Sequence, residues 1–152
     1  AAEREAIALF ERVNSGYCYA ETPKSQPAEV DGVIHKDGVL VAAVECKVRS
    51  LTRQRLHDLG DEWLVTADKI ERGRVLSKAL RVPFVGFLFL LPERRLFTLR
   101  ITDGRGNYII KYDVRETMTQ ATINGGKAVR ANAYLPMATA IEQVPVPPVD
   151  HF

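Results

Sequence analysis

The run Val39 to Arg49 (Val-Leu-Val-Ala-Ala-Val-Glu-Cys-Lys-Val-Arg) constrains this chain most. Read as a strand, it places Leu40, Ala42, Val44, Cys46 and Val48 on one face and Val39, Val41, Ala43, Glu45, Lys47 and Arg49 on the other. Its first half is apolar on both faces, as in a strand covered by other layers above and below. Its second half then sets Glu45 and Lys47 side by side where charge is costly unless it is paired or bound to a metal. The β-rich run before it, Val30 to Lys36, joins it through Lys36-Asp37-Gly38, and an Asp-Gly pair between two such runs is a strong hairpin signal. That pairing carries Asp31 to the same side as Glu45, near one end of the hairpin.

The elements around this hairpin follow from periodicity. Glu3 to Asn14 has apolar residues at Ala6, Ile7, Leu9, Phe10 and Val13 and reads as a helix ended by Ser15-Gly16. Tyr17 to Ala20 reads as a short strand, and Glu21 to Ala28 as a polar loop with two prolines. From Leu51 to Arg81 the pattern turns helical, with Asp61 as a plausible N-cap and Gly73 as a point where the helix could divide. Phe84 to Leu91 is an apolar run of strand length behind Pro83, and Leu96 to Thr102 and Tyr108 to Val114 read as further strands between turns. In Glu116 to Ile141, Asn124-Gly125-Gly126 suggests a turn, and Ala133 to Ala140 a strand or short helix. Val144 to Val149, with three prolines, opens an extended tail.

The expectation is one α/β domain over residues 1–143 with a mixed sheet flanked by helices, a core over about 1–91, additional C-terminal strands over 92–143 and a Pro-rich tail over 144–152. A chain of 152 residues buries roughly two-thirds of its unfolded surface and needs no disulfide or metal to fold. With 46% hydrophobic residues it is not a disordered chain, and no apolar run reaches the roughly 18 residues of a membrane span. Cys18 and Cys46 form no framework or metal-ligand spacing, which makes a reducing, cytoplasmic setting the default. The net charge of +2 hides an asymmetry: residues 1–46 hold four basic and eight acidic groups, residues 47–81 nine and five. An acidic segment thus precedes a basic one suited to phosphate.

Two carboxylates a cation apart, with an ammonium beside them, suit a hard metal such as Mg²⁺ or Mn²⁺, which keeps room for a phosphate oxygen and a water. Lys47 can then assist the water, and Glu3, Glu5 or Glu11 of the first helix can offer a third acid. Asp31, thirteen intervening residues, then Glu45-Cys46-Lys47 resembles the Asp…Glu-x-Lys pattern of the PD-(D/E)xK nuclease superfamily. Residues 1–47, which open Ala1-Ala2-Glu3-Arg4-Glu5, are similar to archaeal-type Holliday junction resolvases and related small nucleases. The resemblance implies a restriction-endonuclease-like core (α-β-β-β-α-β), a role in DNA repair or recombination and a Mg²⁺-dependent endodeoxyribonuclease activity. It further implies Glu3, Asp31 and Glu45 as metal ligands together with the Cys46 carbonyl, Asp31, Glu45 and Lys47 as the catalytic set, and often a homodimer. Val30 stands where the superfamily commonly has proline, no resolvase motif follows in Ser50 to Gly60, and the Gln-x-x-x-Tyr of the exonuclease branch is absent after Lys47.

Arg49, Arg53 and Arg55, closest to Lys47, are the first candidates for contact with DNA phosphates; Lys69 to Arg81 adds more, interleaved with acids as on a solvated helix face. Lys127 and Arg130, after the Asn-Gly-Gly turn, are a second candidate contact. His35 could point into the same cleft as Asp31 or face solvent. The competing readings are a surface salt bridge between Glu45 and Lys47 at a strand end, a nuclease-like fold that binds nucleic acid or a protein partner without cutting, and an accessory protein whose hairpin charges are incidental.

Overall fold

The computed structural model describes residues 1–23, 28–121 and 127–145. The hairpin forms as the alternation requires: β2 (Gly32–Lys36) and β3 (Val39–Arg49) are antiparallel, with Gly32 opposite Val44 and Lys36 opposite Val39. The register slips between Ile34 and His35, so one extra β3 residue is taken up there. β1 (Tyr17–Glu21) pairs outside β2. β5 (Phe84–Leu90) lies parallel to β3 on its other side, matching Glu45 with Gly86 and Lys47 with Leu88. β6 (Arg95–Arg100) and the short β9 (Ile141–Glu142) extend the sheet antiparallel, in the order β1-β2-β3-β5-β6-β9. The fold is therefore α/β with a mixed six-stranded sheet.

Each face of β3 has its own core. Ala42, Val44 and Cys46 meet Phe87 and Phe89 of β5 and the apolar stripe Ala6 and Phe10 of α1 (Ala2–Val13). The Phe10 and Phe87 rings lie 4.9 Å apart between centroids. Ala43, Leu88 and Leu90 face Ile70 of α3 (Ala67–Leu80) together with Trp63 and Leu135.

The stretch 51–81, expected to be helical, divides in three: α2 (Arg53–Asp58), β4 (Glu62–Thr66) and α3. Trp63 and Val65 alternate with exposed Leu64, a strand phase that a helical reading of the same apolar residues conceals. Asp61 caps no helix; it sits at φ +57° between α2 and β4 and accepts a hydrogen bond from Arg53 at 2.5 Å. Gly73 lies within α3 without breaking it. The C-terminal strands also divide. β7 (Asp113–Ala121) and β8 (Lys127–Pro136) join β4 as a separate three-stranded sheet, ordered β4-β8-β7. Tyr108, expected to start a strand, makes only an isolated bridge to Thr102. The Asn124-Gly125-Gly126 turn and the tail beyond residue 145 lie outside the described residues. Among the described residues no helix is long and apolar enough to cross a membrane.

The two sheets meet at Gly86. A Cβ there would lie 1.9 Å from the Trp63 ring, so only glycine lets the indole rest on β5. Gly86→Ala is expected to destabilise the protein by about 3 kcal/mol through overpacking, with a matching fall in the denaturant midpoint at unchanged slope. An unchanged midpoint would mean that the second sheet does not depend on this contact.

Candidate metal and phosphate site

β2 ends at Gly32 while β3 continues to Arg49, and the candidate site occupies that step. The Asp31 N–H donates to Val44 O at 3.0 Å, the last rung between the strands. The Asp31 side chain then takes the place of the missing strand: its Oδ2 accepts the Cys46 N–H at 2.8 Å. Thr22 holds the backbone behind it, its Oγ1 donating to both Val30 O and Asp31 O at 2.8 Å. Residues of β3 bond alternately to either side, Ala43 toward Pro83 and Val44 toward Asp31. By that alternation the Cys46 carbonyl opens on the Asp31 side, while its side chain is buried against the α1 face.

Glu45 lies beside Asp31, fully buried beneath α3. Lys47 Nζ stands 3.5 Å from Glu45 Oε1 and Lys69 Nζ of α3 3.6 Å from the same oxygen. These are ion-pair contacts; neither Glu45 oxygen has a hydrogen-bond partner among the described residues. Burial and then the adjacent Asp31 carboxylate push the Glu45 pKa up to about 7, against the pull of Lys69 and Lys47. Protonated, Glu45 can donate to Asp31; ionised, the two acids repel each other.

Tyr19 completes the wall. Its ring lies over Gly32, where a Cβ would come within 2.3 Å of it, and its buried hydroxyl has no hydrogen-bond partner among the described residues. Burial raises the phenol pKa well above its ordinary value, and the Cys46, Asp31, Glu3 and Glu21 groups raise it further. Glu3 lies in the first turn of α1. Glu5 instead ion-pairs with Arg94, and Glu11 is exposed. Among the described residues no three His, Cys, Asp or Glu side chains converge as a ready ligand group.

The arginines lie elsewhere. Arg49 donates to Leu64 O at 2.7 Å, and burial lowers its pKa. Arg53 engages Asp61 and places its guanidinium 5.5 Å from the Phe97 ring centroid. Arg55 is exposed on α2. Lys127 and Arg130 belong to β8, with Arg130 exposed and opposite Thr117. His35 pairs with Cys18 and Leu40, toward the turn end of the hairpin.

No family model matches the chain, and neither a curated protein nor a solved structure matches it. Two residues of the site escaped the sequence reading. Lys69 was one cation among several on an assumed helix, whose true start at Ala67 sets the phase that turns it toward Glu45. Tyr19 carries no sequence signal, because its reach depends on Gly32 across the β1–β2 pair.

Proposed function

We propose that the protein is a metal-dependent nuclease of the PD-(D/E)xK type that hydrolyses DNA phosphodiester bonds, close in kind to the small resolvase-like nucleases. The observation that carries the reading is Glu45: a fully buried carboxyl beside Asp31, with Lys47 at 3.5 Å. The order α1-β1-β2-β3-α3-β5 supports a restriction-endonuclease-like core, with α2 and β4 inserted before α3.

The residues present fit Mg²⁺ or Mn²⁺. Asp31, Glu45 and the Cys46 carbonyl would hold it, with Glu3 as the helix-borne acid, and the oxygen-only donor set suits a hard cation. When bound, the cation supplies Lewis-acid polarisation of the phosphate and a lowered pKa for an attacking water. The protein does the rest. The Asp31 side chain is fixed by the Cys46 N–H, so its second oxygen keeps a set position beside Glu45. Lys47 orients the water and offsets the charge that builds on the pentavalent phosphorus. Lys69, reaching the same Glu45 oxygen from α3, adds a second ammonium toward the phosphate.

The test is a panel of labelled DNA and RNA forms (junction, flap, nick, duplex and single strand) with Mg²⁺, Mn²⁺ or EDTA. Divalent-dependent DNA cleavage is expected, reduced about 10²-fold or more in Lys47→Ala at unchanged thermal stability. Cleavage that persists in EDTA overturns the reading. A second reading, a nuclease-like fold that binds without cutting, is favoured by Lys69, because two ammonium groups already stand against the one buried Glu45 oxygen. It requires that calorimetry with Mn²⁺ show no stoichiometric binding.

A further inference from the structure

One site residue apart from the proposed chemistry, the same face of β3 ends at a cavity of about 370 Å³, within the range of small-molecule sites. Arg49 lines it two residues beyond Lys47, and so does Leu88, the β5 partner of Lys47. The cavity thus begins one side-chain repeat, about 6.6 Å, from the proposed catalytic lysine. Its walls are largely apolar and include the Trp63 and Tyr134 rings. Leu59 and Leu64 at its lining are exposed to solvent, so it is open to a ligand.

Three features narrow the occupant. Trp63 is almost wholly buried, and its indole Nε1, itself out of contact with solvent, has no hydrogen-bond partner among the described residues. Glu62 supplies a carboxylate acceptor to the same lining. Two guanidinium groups attend it: Arg49 in the lining and Arg115, 4.1 Å from the Tyr134 ring centroid and 3.5 Å from Glu62. Aromatic lining residues, one acceptor and flanking positive charge match a flat, polar-edged ring attached to phosphate.

We propose that this cavity takes an unpaired nucleobase from the strand whose phosphate lies at Lys47. The inference rests on the nuclease reading for its placement and deepens it: the preferred substrate carries an unstacked base beside the scissile phosphate, as in a single strand, a flap or an open junction. A base and its own phosphate are separated by one sugar, so a phosphate at Lys47 leaves its base within reach of Trp63. A base inside a duplex would first have to leave its stack, at a cost of a few kcal/mol.

The chain has one tryptophan, Trp63, so its emission reports the cavity directly. The intact protein in EDTA, where no cleavage interferes, is titrated with a mixed-sequence single-stranded decamer, the same decamer annealed to its complement, and an abasic decamer with identical phosphates. The single strand is expected to quench Trp63 at least twofold and to bind about tenfold more tightly than the abasic strand, with little quenching by the duplex. Leu59→Asn, an exposed position at the lining, should weaken only the single strand, about fivefold. Equal binding and quenching by the abasic strand overturn the proposal, as does equal quenching by the duplex. Such failure with divalent-dependent cleavage intact leaves the nuclease reading standing. Base-dependent quenching without cleavage supports the cavity and counts against the nuclease.

Discussion

A Glu45→Gln protein is expected to lose phosphodiester cleavage by at least about 10³-fold, to lose stoichiometric Mn²⁺ binding, and to keep its affinity for DNA within about twofold. Glutamine preserves the volume and the buried position of Glu45 while removing its charge, so the strand and the α3 packing above it stay in place. What is lost is one of two carboxylates able to hold a divalent cation. Several kcal/mol of transition-state stabilisation go with it, and each 1.36 kcal/mol is tenfold in rate. DNA affinity is set by phosphate contacts and is little altered, because a buried side chain does not reach the nucleic acid backbone. Asp31→Asn is expected to behave alike, since an amide oxygen can still accept the Cys46 N–H and keep the local fold. Both variants are checked by cleavage rate, calorimetric Mn²⁺ titration and binding to a labelled DNA in EDTA. Full cleavage in either one would remove Asp31 and Glu45 from the chemistry and leave a buried charge cluster with a structural role only.

The hairpin was legible because two short-range signals agreed. The Asp-Gly turn set the register, and alternation along β3 put Glu45 and Lys47 on one face, where they lie. The slip between Ile34 and His35 lies between the turn and the Gly32–Val44 pair, so it moves by one residue the register that the turn alone gives at Asp31, and the sequence carries no signal of it. The stretch 51–81 was not legible. Trp63, Ile70 and Leu80 suit a long amphipathic helix, and it is tertiary contact, the ladder with β8 and the seat of Trp63 on Gly86, that favours a strand at Glu62–Thr66. The cost of that misreading was Lys69, whose direction depends on where α3 starts. It also concealed the second sheet: with β4 assigned to a helix, β7 and β8 had no visible partner. The directions of the arginine side chains were hidden for a related reason. Proximity in sequence to Lys47 does not fix where a long side chain goes, and Arg49 and Arg53 reach Leu64 and Asp61.

The stability of the metal-free protein should fall as pH rises from about 5 to about 8, more steeply than that of Glu45→Gln. The Glu45 carboxyl has an ordinary pKa of 4.5 in an open chain and about 7 in the fold. Between those values the folded protein retains a proton that the unfolded chain has released. Folding is therefore favoured at the lower pH, and the advantage is lost as pH rises through about 7. The shift corresponds to about 3 kcal/mol at 1.36 kcal/mol per unit. For a chain of this length that is roughly 6–10 °C in Tm. Acids away from the site titrate alike in parent and variant, so the difference between their two Tm-against-pH curves in EDTA isolates Glu45 together with its neighbour Asp31. A saturating divalent cation should reverse the order. It binds the folded protein with both carboxylates ionised, so it stabilises the parent at pH 8 and leaves Glu45→Gln unmoved. Parallel curves in EDTA would mean that Lys47 and Lys69 already hold Glu45 ionised below neutral pH. The two lysines would then act as the permanent counter-charge of the site, and a divalent cation would have to compete with them for the same carboxylate oxygen.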